Sequence, residues 1–147
     1  MDSHVIFALA LGLLAALAPV AASAAKLFAG PVEAVVLEVL DGDTFLAEAL
    51  VWPGHTVRVN VRIRGIDAPE MKARCDGERV AAEKARDALA SLFGEDPVAI
   101  SNISGAKYYG RVLADVTTAG GQGVASILLD EKLVRPYGGG RRGAWCE

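Results

Sequence analysis

The chain has 147 residues, a length that suits one domain. Its 15 Lys and Arg stand against 18 Asp and Glu, giving a net charge of −3 at pH 7. This excludes the uniformly basic balance of a protein that coats nucleic acid, so contact with a polyanion would go through a local basic patch and a bound cation.

Residues 5–20 form an apolar run, followed by A-A-S-A-A, in which Ala22, Ser23 and Ala24 fit a small-residue cleavage site. That is the outline of a secretory signal peptide over residues 1–24. It leaves a domain over 25–137 and a C-terminal tail over 138–147, in a secreted or periplasmic setting. Met1-Asp2-Ser3-His4 carries no Lys or Arg, so an uncleaved membrane anchor is the alternative. The Ala-rich run with its Pro19 is marginal for a span of about 20 residues. Export permits a disulfide between the two cysteines, Cys75 and Cys146, with two free buried thiols as the alternative.

The first strand is expected over 32–40, followed by Asp41-Gly42 as a hairpin-turn signal. A second strand is expected over 44–52 and a turn at Pro53-Gly54-His55. In 57–65 the residues alternate, Val57, Val59, Val61 and Ile63 on one face and Arg58, Asn60, Arg62 and Arg64 on the other, which predicts a half-buried strand with a basic outer face. The period then changes. Asp76 can cap a helix running to about Phe93, with Ala81, Ala85, Ala88 and Leu92 as its stripe, Leu89 beside it, and Gly94 as its stop. Two further strands are expected over 98–103 and 111–117. A glycine turn at 120–123 leads to a short helix over 124–133. This order predicts an α+β, predominantly β chain: a five-stranded OB-type barrel with a helix after the third strand and a short C-terminal helix.

Outside residues 1–24 the one histidine is His55, in a predicted turn, and no serine sits in G-x-S-x-G. Several-histidine zinc chemistry is excluded, and hydrolysis would have to use carboxylates, a hard metal ion and arginines. Those groups fall in three clusters: D-G-D-T at 41–44, V-R-I-R-G-I-D-A-P-E at 61–70 and K-Y-Y-G-R at 107–111. Each can be read as a mere turn or loop. Together, Asp43 and Asp67 lie at the ends of adjacent predicted strands, and two carboxylates with a backbone carbonyl suit calcium. Glu70 is placed to hold a water. Arg62 and Arg111 supply planar guanidiniums for the equatorial oxygens of a phosphodiester transition state.

With L-V-R-P-Y-G-G-G-R-R at 133–142, these motifs resemble the staphylococcal nuclease (thermonuclease-like) family over residues 32–137. The resemblance implies an OB-type barrel and calcium-dependent cleavage of DNA and RNA to 3′-phosphate and 5′-hydroxyl ends. It assigns the metal ligands to Asp43, Asp67 and the main-chain carbonyl of Ala68, with Asp41 in the outer sphere. It makes Glu70 the general base or water-orienting group, Arg62 and Arg111 the phosphate clamps, and Tyr109 and Tyr137 nucleotide contacts. Ala68 stands where the family pattern often has threonine, which removes a hydroxyl. The segment 71–77 is shorter and carries Cys75, whose bond to Cys146 would pin the basic tail beside the site. The expected partner is nucleic acid, bound by a monomer with no stable membrane association once the leader is removed. Two other readings remain: a non-catalytic nucleic-acid- or protein-binding OB module, and an exported domain whose metal site is structural.

Overall fold

The computed structural model describes residues 26–146. The expected leader and its cleavage site lie outside them. Among the described residues no helix is long and apolar enough to cross a membrane.

Nine elements follow in order: β1 (Val32–Asp41), β2 (Thr44–Trp52), β3 (His55–Ile63), β4 (Ile66–Asp67), α1 (Asp76–Phe93), β5 (Val98–Gly105), β6 (Arg111–Thr117), α2 (Val124–Asp130) and β7 (Arg135–Pro136). Five of them close a mixed barrel in the order β1-β2-β3-β6-β5. The β3–β6 pair is parallel, with Arg62 opposite Leu113, and the other pairs are antiparallel. This is the expected OB-type barrel, with its two helices in the expected places. The two-residue strands β4 and β7 form a separate antiparallel sheet that sequence reading did not foresee. They are too short to show any alternation.

The core is the inner face of the barrel, where Phe45, Ala47, Val61, Ile63, Ile100 and Ala114 are fully or almost fully buried. Helix α1 covers one end of it through Ala82, Ala85, Leu89 and Phe93, and Phe93 meets Phe45 edge to face with ring centroids 4.8 Å apart. The buried stripe is therefore rotated from the expected one: Ala81, Ala88 and Leu92 are only partly buried. Alanines occupy both faces, and the bulk of Leu89 and Phe93 decides which one turns inward. Cys75, not Asp76, holds the N-cap position, and no side chain caps the helix. The second helix ends at Asp130, before the expected residue 133, because Lys132 takes a left-handed conformation (φ 56°).

The expected alternation of β3 holds only for its second half. Val57 is exposed along with Leu50, Val51 and Trp52, because the β2–β3 hairpin extends past the barrel and neither face is covered there.

Gly42 brings the site's pieces together. It has no positive φ; a Cβ there would lie 2.7 Å from the Ala85 Cβ and 3.0 Å from the Ala68 Cβ. Glycine at this position lets α1 and the segment after β4 close onto the β1–β2 turn.

Candidate active site

The β1–β2 turn presents Asp43, whose carboxylate is buried. Its Oδ1 accepts from the Thr44 hydroxyl (2.8 Å) and its Oδ2 from the Ala68 backbone N–H (2.9 Å). Asp67 ends β4, is equally buried, and is aimed at the same place because β4 is pinned by β7 through the Asp67–Arg135 pair. Arg62 lies between the two acids, its Nη2 3.3 Å from Asp43 Oδ2 and 3.6 Å from Asp67 Oδ1, while its Nη1 donates to the Ile66 carbonyl at 3.0 Å. Two buried carboxylates this close would otherwise repel, and the guanidinium offsets that repulsion.

Asp41 sits behind this pair. Its Oδ1 accepts the Asp43 N–H at 2.9 Å. Burial, then the charge of Asp43, raise its pKa from 3.8 to about 6 against the lowering effect of that hydrogen bond, with a further push from Glu70.

Glu70 is exposed, and its backbone N–H donates to Glu78 Oε1 (3.1 Å). Glu78 is a buried acid in the first turn of α1, and its Oε2 also accepts the Arg74 N–H at 3.4 Å. It fixes the loop that carries Glu70. The clue in the sequence was an acid at position 78, in register with the stripe Ala82–Ala85–Leu89, where burial demands a partner.

Arg111, at the start of β6, donates from Nη2 to the Thr44 Oγ1 at 3.1 Å and has no carboxylate partner among the described residues. Thr44 thus links Arg111 to Asp43. The parallel β3–β6 pairing places Arg111 beside Arg62 on the wall of a cleft of about 750 Å³. Arg64, on the same polar face, pairs instead with Asp115 (3.2 Å) and is structural. Tyr137 lines the cleft under Arg62, whose guanidinium lies 5.5 Å from the ring centroid. Tyr109 does not line it: it is wholly exposed on the β5–β6 connection, and its neighbour Tyr108 forms the wall.

The cysteines are bonded, Cys75 to Cys146, and no free cysteine remains. The bond pins the tail beside the site, as expected. Cys75, Glu78 and Cys146 converge, but their sulfurs are bonded to each other, so the group offers one carboxylate and no thiolate for a metal. The tail contributes what sequence reading missed. Arg142 contacts the Asp67 and Glu70 carboxylates and donates from Nη2 to the Ala68 carbonyl at 3.0 Å. Trp145 donates from Nε1 to Asp67 Oδ2 at 3.4 Å, its ring covered by Arg135 at 3.8 Å. Partial burial pulls the Arg142 pKa down, but Asp67 and Glu70 outweigh it and leave it raised.

Asp67 Oδ1, Ala68 O and Glu70 Oε1 thus converge on a single cationic group. Asp67 Oδ1 is buried without a directed hydrogen bond, although two guanidiniums stand near it. A buried carboxylate oxygen met only by guanidinium charge, beside a carbonyl and a second carboxylate, is a donor set that fits a hard divalent cation.

Compared with known proteins, the chain matches no family model and no curated protein.

Proposed function

We propose that the protein is an exported, calcium-dependent phosphodiesterase that cleaves DNA or RNA to 3′-phosphate and 5′-hydroxyl ends. The observation that carries this reading is the assembly of Asp43, Asp67, Arg62 and Arg111, joined to Glu70 through Arg142, on a closed barrel. These groups come from separate parts of the chain, and no packing need explains burying two acids together. Asp43, Asp67 and the Ala68 carbonyl would hold calcium, which would supply positive charge to a phosphoryl oxygen. Arg111, without a carboxylate partner, is available to grip a phosphate oxygen, and Arg62 shares its charge between the acids and the cleft. Glu70, exposed beside them, is the base that takes a proton from the attacking water. The disulfide supports an oxidising compartment, and with the apolar N-terminal run it favours export.

One observation favours the second reading, a binding-only barrel: Arg142 already spans Asp67, Ala68 and Glu70. A cleavage assay separates the two. The purified chain is incubated with single-stranded DNA and calcium, then with chelator, then as Glu70→Gln. Loss of cleavage in both controls is expected. Cleavage in chelator, or full activity of Glu70→Gln, would overturn the mechanism, and binding without turnover would establish the second reading.

A further inference from the structure

A second cleft, of about 910 Å³, is lined by Glu70 and Glu78 and by neither Arg62 nor Arg111. One wall is the loop after Glu70, with Lys72 and Arg74. The other is the disulfide-held tail, with Arg141, Arg142 and Trp145. Lys72, Arg74 and Arg141 are exposed and make no ion pair among the described residues. The buried acid at the floor, Glu78, is already occupied by the backbone N–H groups of Glu70 and Arg74.

Arg142 lines both clefts and so joins them. Together the two contain more than half of the chain's 15 Lys and Arg residues, although the net charge is −3. Glu70 and Glu78 also line this path, and Arg62, Arg64 and Arg142 are paired with acids. But Lys72, Arg74, Lys107, Arg111 and Arg141 make no ion pair among the described residues and concentrate positive potential along it. Unpaired cations held apart at this density repel one another, and a polyanion relieves that repulsion.

We infer that the second cleft is a subsite for the sugar–phosphate backbone of single-stranded nucleic acid, so that one strand crosses both clefts past Arg142, which lines each of them. Concave basic grooves that track a backbone are how single strands are held without sequence preference. The subsite deepens the proposed function and rests on reading the Arg62–Arg111 cleft as the phosphodiester site.

The test is binding in chelator, where no turnover occurs, read by fluorescence anisotropy with a labelled dinucleotide and a labelled twelve-nucleotide strand. The triple variant Lys72→Ala/Arg74→Ala/Arg141→Ala changes only exposed side chains, and its melting temperature confirms folding. It is expected to bind the long strand at least about tenfold more weakly. Its log–log salt slope should be smaller by about 2, at roughly 0.7 for each phosphate no longer neutralised. Dinucleotide binding should be unchanged, and the variant Lys72→Arg/Arg74→Lys/Arg141→Lys should restore the long strand. Equal affinity and slope in the alanine variant overturns the subsite, as does polyglutamate binding as tightly as the oligonucleotide. If the alanine variant shows this length-dependent loss yet the wild type cleaves nothing with calcium, the subsite stands and the phosphodiesterase reading falls.

Discussion

Arg142 and Ala68 are joined across half of the chain: the guanidinium Nη2 donates to the Ala68 main-chain oxygen at 3.0 Å. The same side chain contacts Asp67 and Glu70. A cation taken up by Asp67 and Ala68 must therefore displace a guanidinium first. Arg142→Ala is expected to bind calcium about tenfold more tightly than the wild type, by isothermal titration of chelator-stripped protein. Calcium should also change the emission of Trp145, which gives up its bond to Asp67; Trp145→Phe removes that signal, since Trp52 lies on the exposed hairpin. Unchanged affinity in Arg142→Ala would show that the arginine and the cation do not share a place.

The two arginines of the first cleft should behave differently when removed. Arg62 neutralises two buried acids, so Arg62→Ala should cost about 3–5 kcal/mol of stability in chelator as well as activity. Arg111 holds only the Thr44 hydroxyl. Arg111→Ala should lose about 10²–10³ in kcat with less than about 1 kcal/mol of stability. Urea unfolding beside a cleavage assay reads both; a large stability loss for Arg111→Ala would contradict the assignment.

Asp41 predicts a pH dependence of the metal-free protein. Its folded pKa, about 6, lies above the ordinary 3.8 because of burial and Asp43. A carboxyl raised on folding adds stability that is full below its unfolded pKa and is lost as pH rises through its folded value. Asp41→Asn keeps an acceptor for the Asp43 N–H and cannot ionise. It should therefore raise the melting temperature at about pH 7.5 by clearly more than at about pH 4.5. An equal shift at both values would rule out this origin.

Reducing the disulfide should loosen the tail and the protein together. With Cys75 and Cys146 separated by 71 positions in sequence, the chain-entropy contribution is roughly 4 kcal/mol. Cys75→Ser/Cys146→Ser should unfold at lower urea and lose part of the long-strand affinity, since Arg141 is then no longer held against the Glu70 loop. Equal urea midpoints for the oxidised and the Ser/Ser protein would show that the crosslink adds nothing to the fold.

The barrel was legible because its strands announce themselves locally: alternating residues in 57–65, a turn at Asp41-Gly42, a change of period at Asp76. The acids and arginines stood out because they recur in three short clusters, at 41–44, 61–70 and 107–111, in a chain with one histidine outside residues 1–24. What was misread turned on packing. Leu89 and Phe93 set the rotation of α1, and the exposed end of the β2–β3 hairpin breaks an alternation that looked continuous. Tyr109, the nucleotide contact that the resemblance implies, is exposed outside the cleft, and Tyr108 lines it. The β4–β7 sheet was invisible because two residues carry no period.

By itself, the sequence determined the order of the elements, the presence of a clustered set of oxygen donors and arginines, and the two cysteines that could tether the tail. These depend on turn chemistry, periodicity and composition over a few residues. The tertiary structure alone decided that Asp43 and Asp67 share one guanidinium, that Thr44 connects Arg111 to Asp43, and that Arg142 reaches Asp67, Ala68 and Glu70. Most of those contacts join residues far apart in the chain. They exist because the barrel closes through a parallel pair and the tail is fixed at both ends, by β7 and by Cys146, and neither closure leaves a mark in any short stretch of sequence.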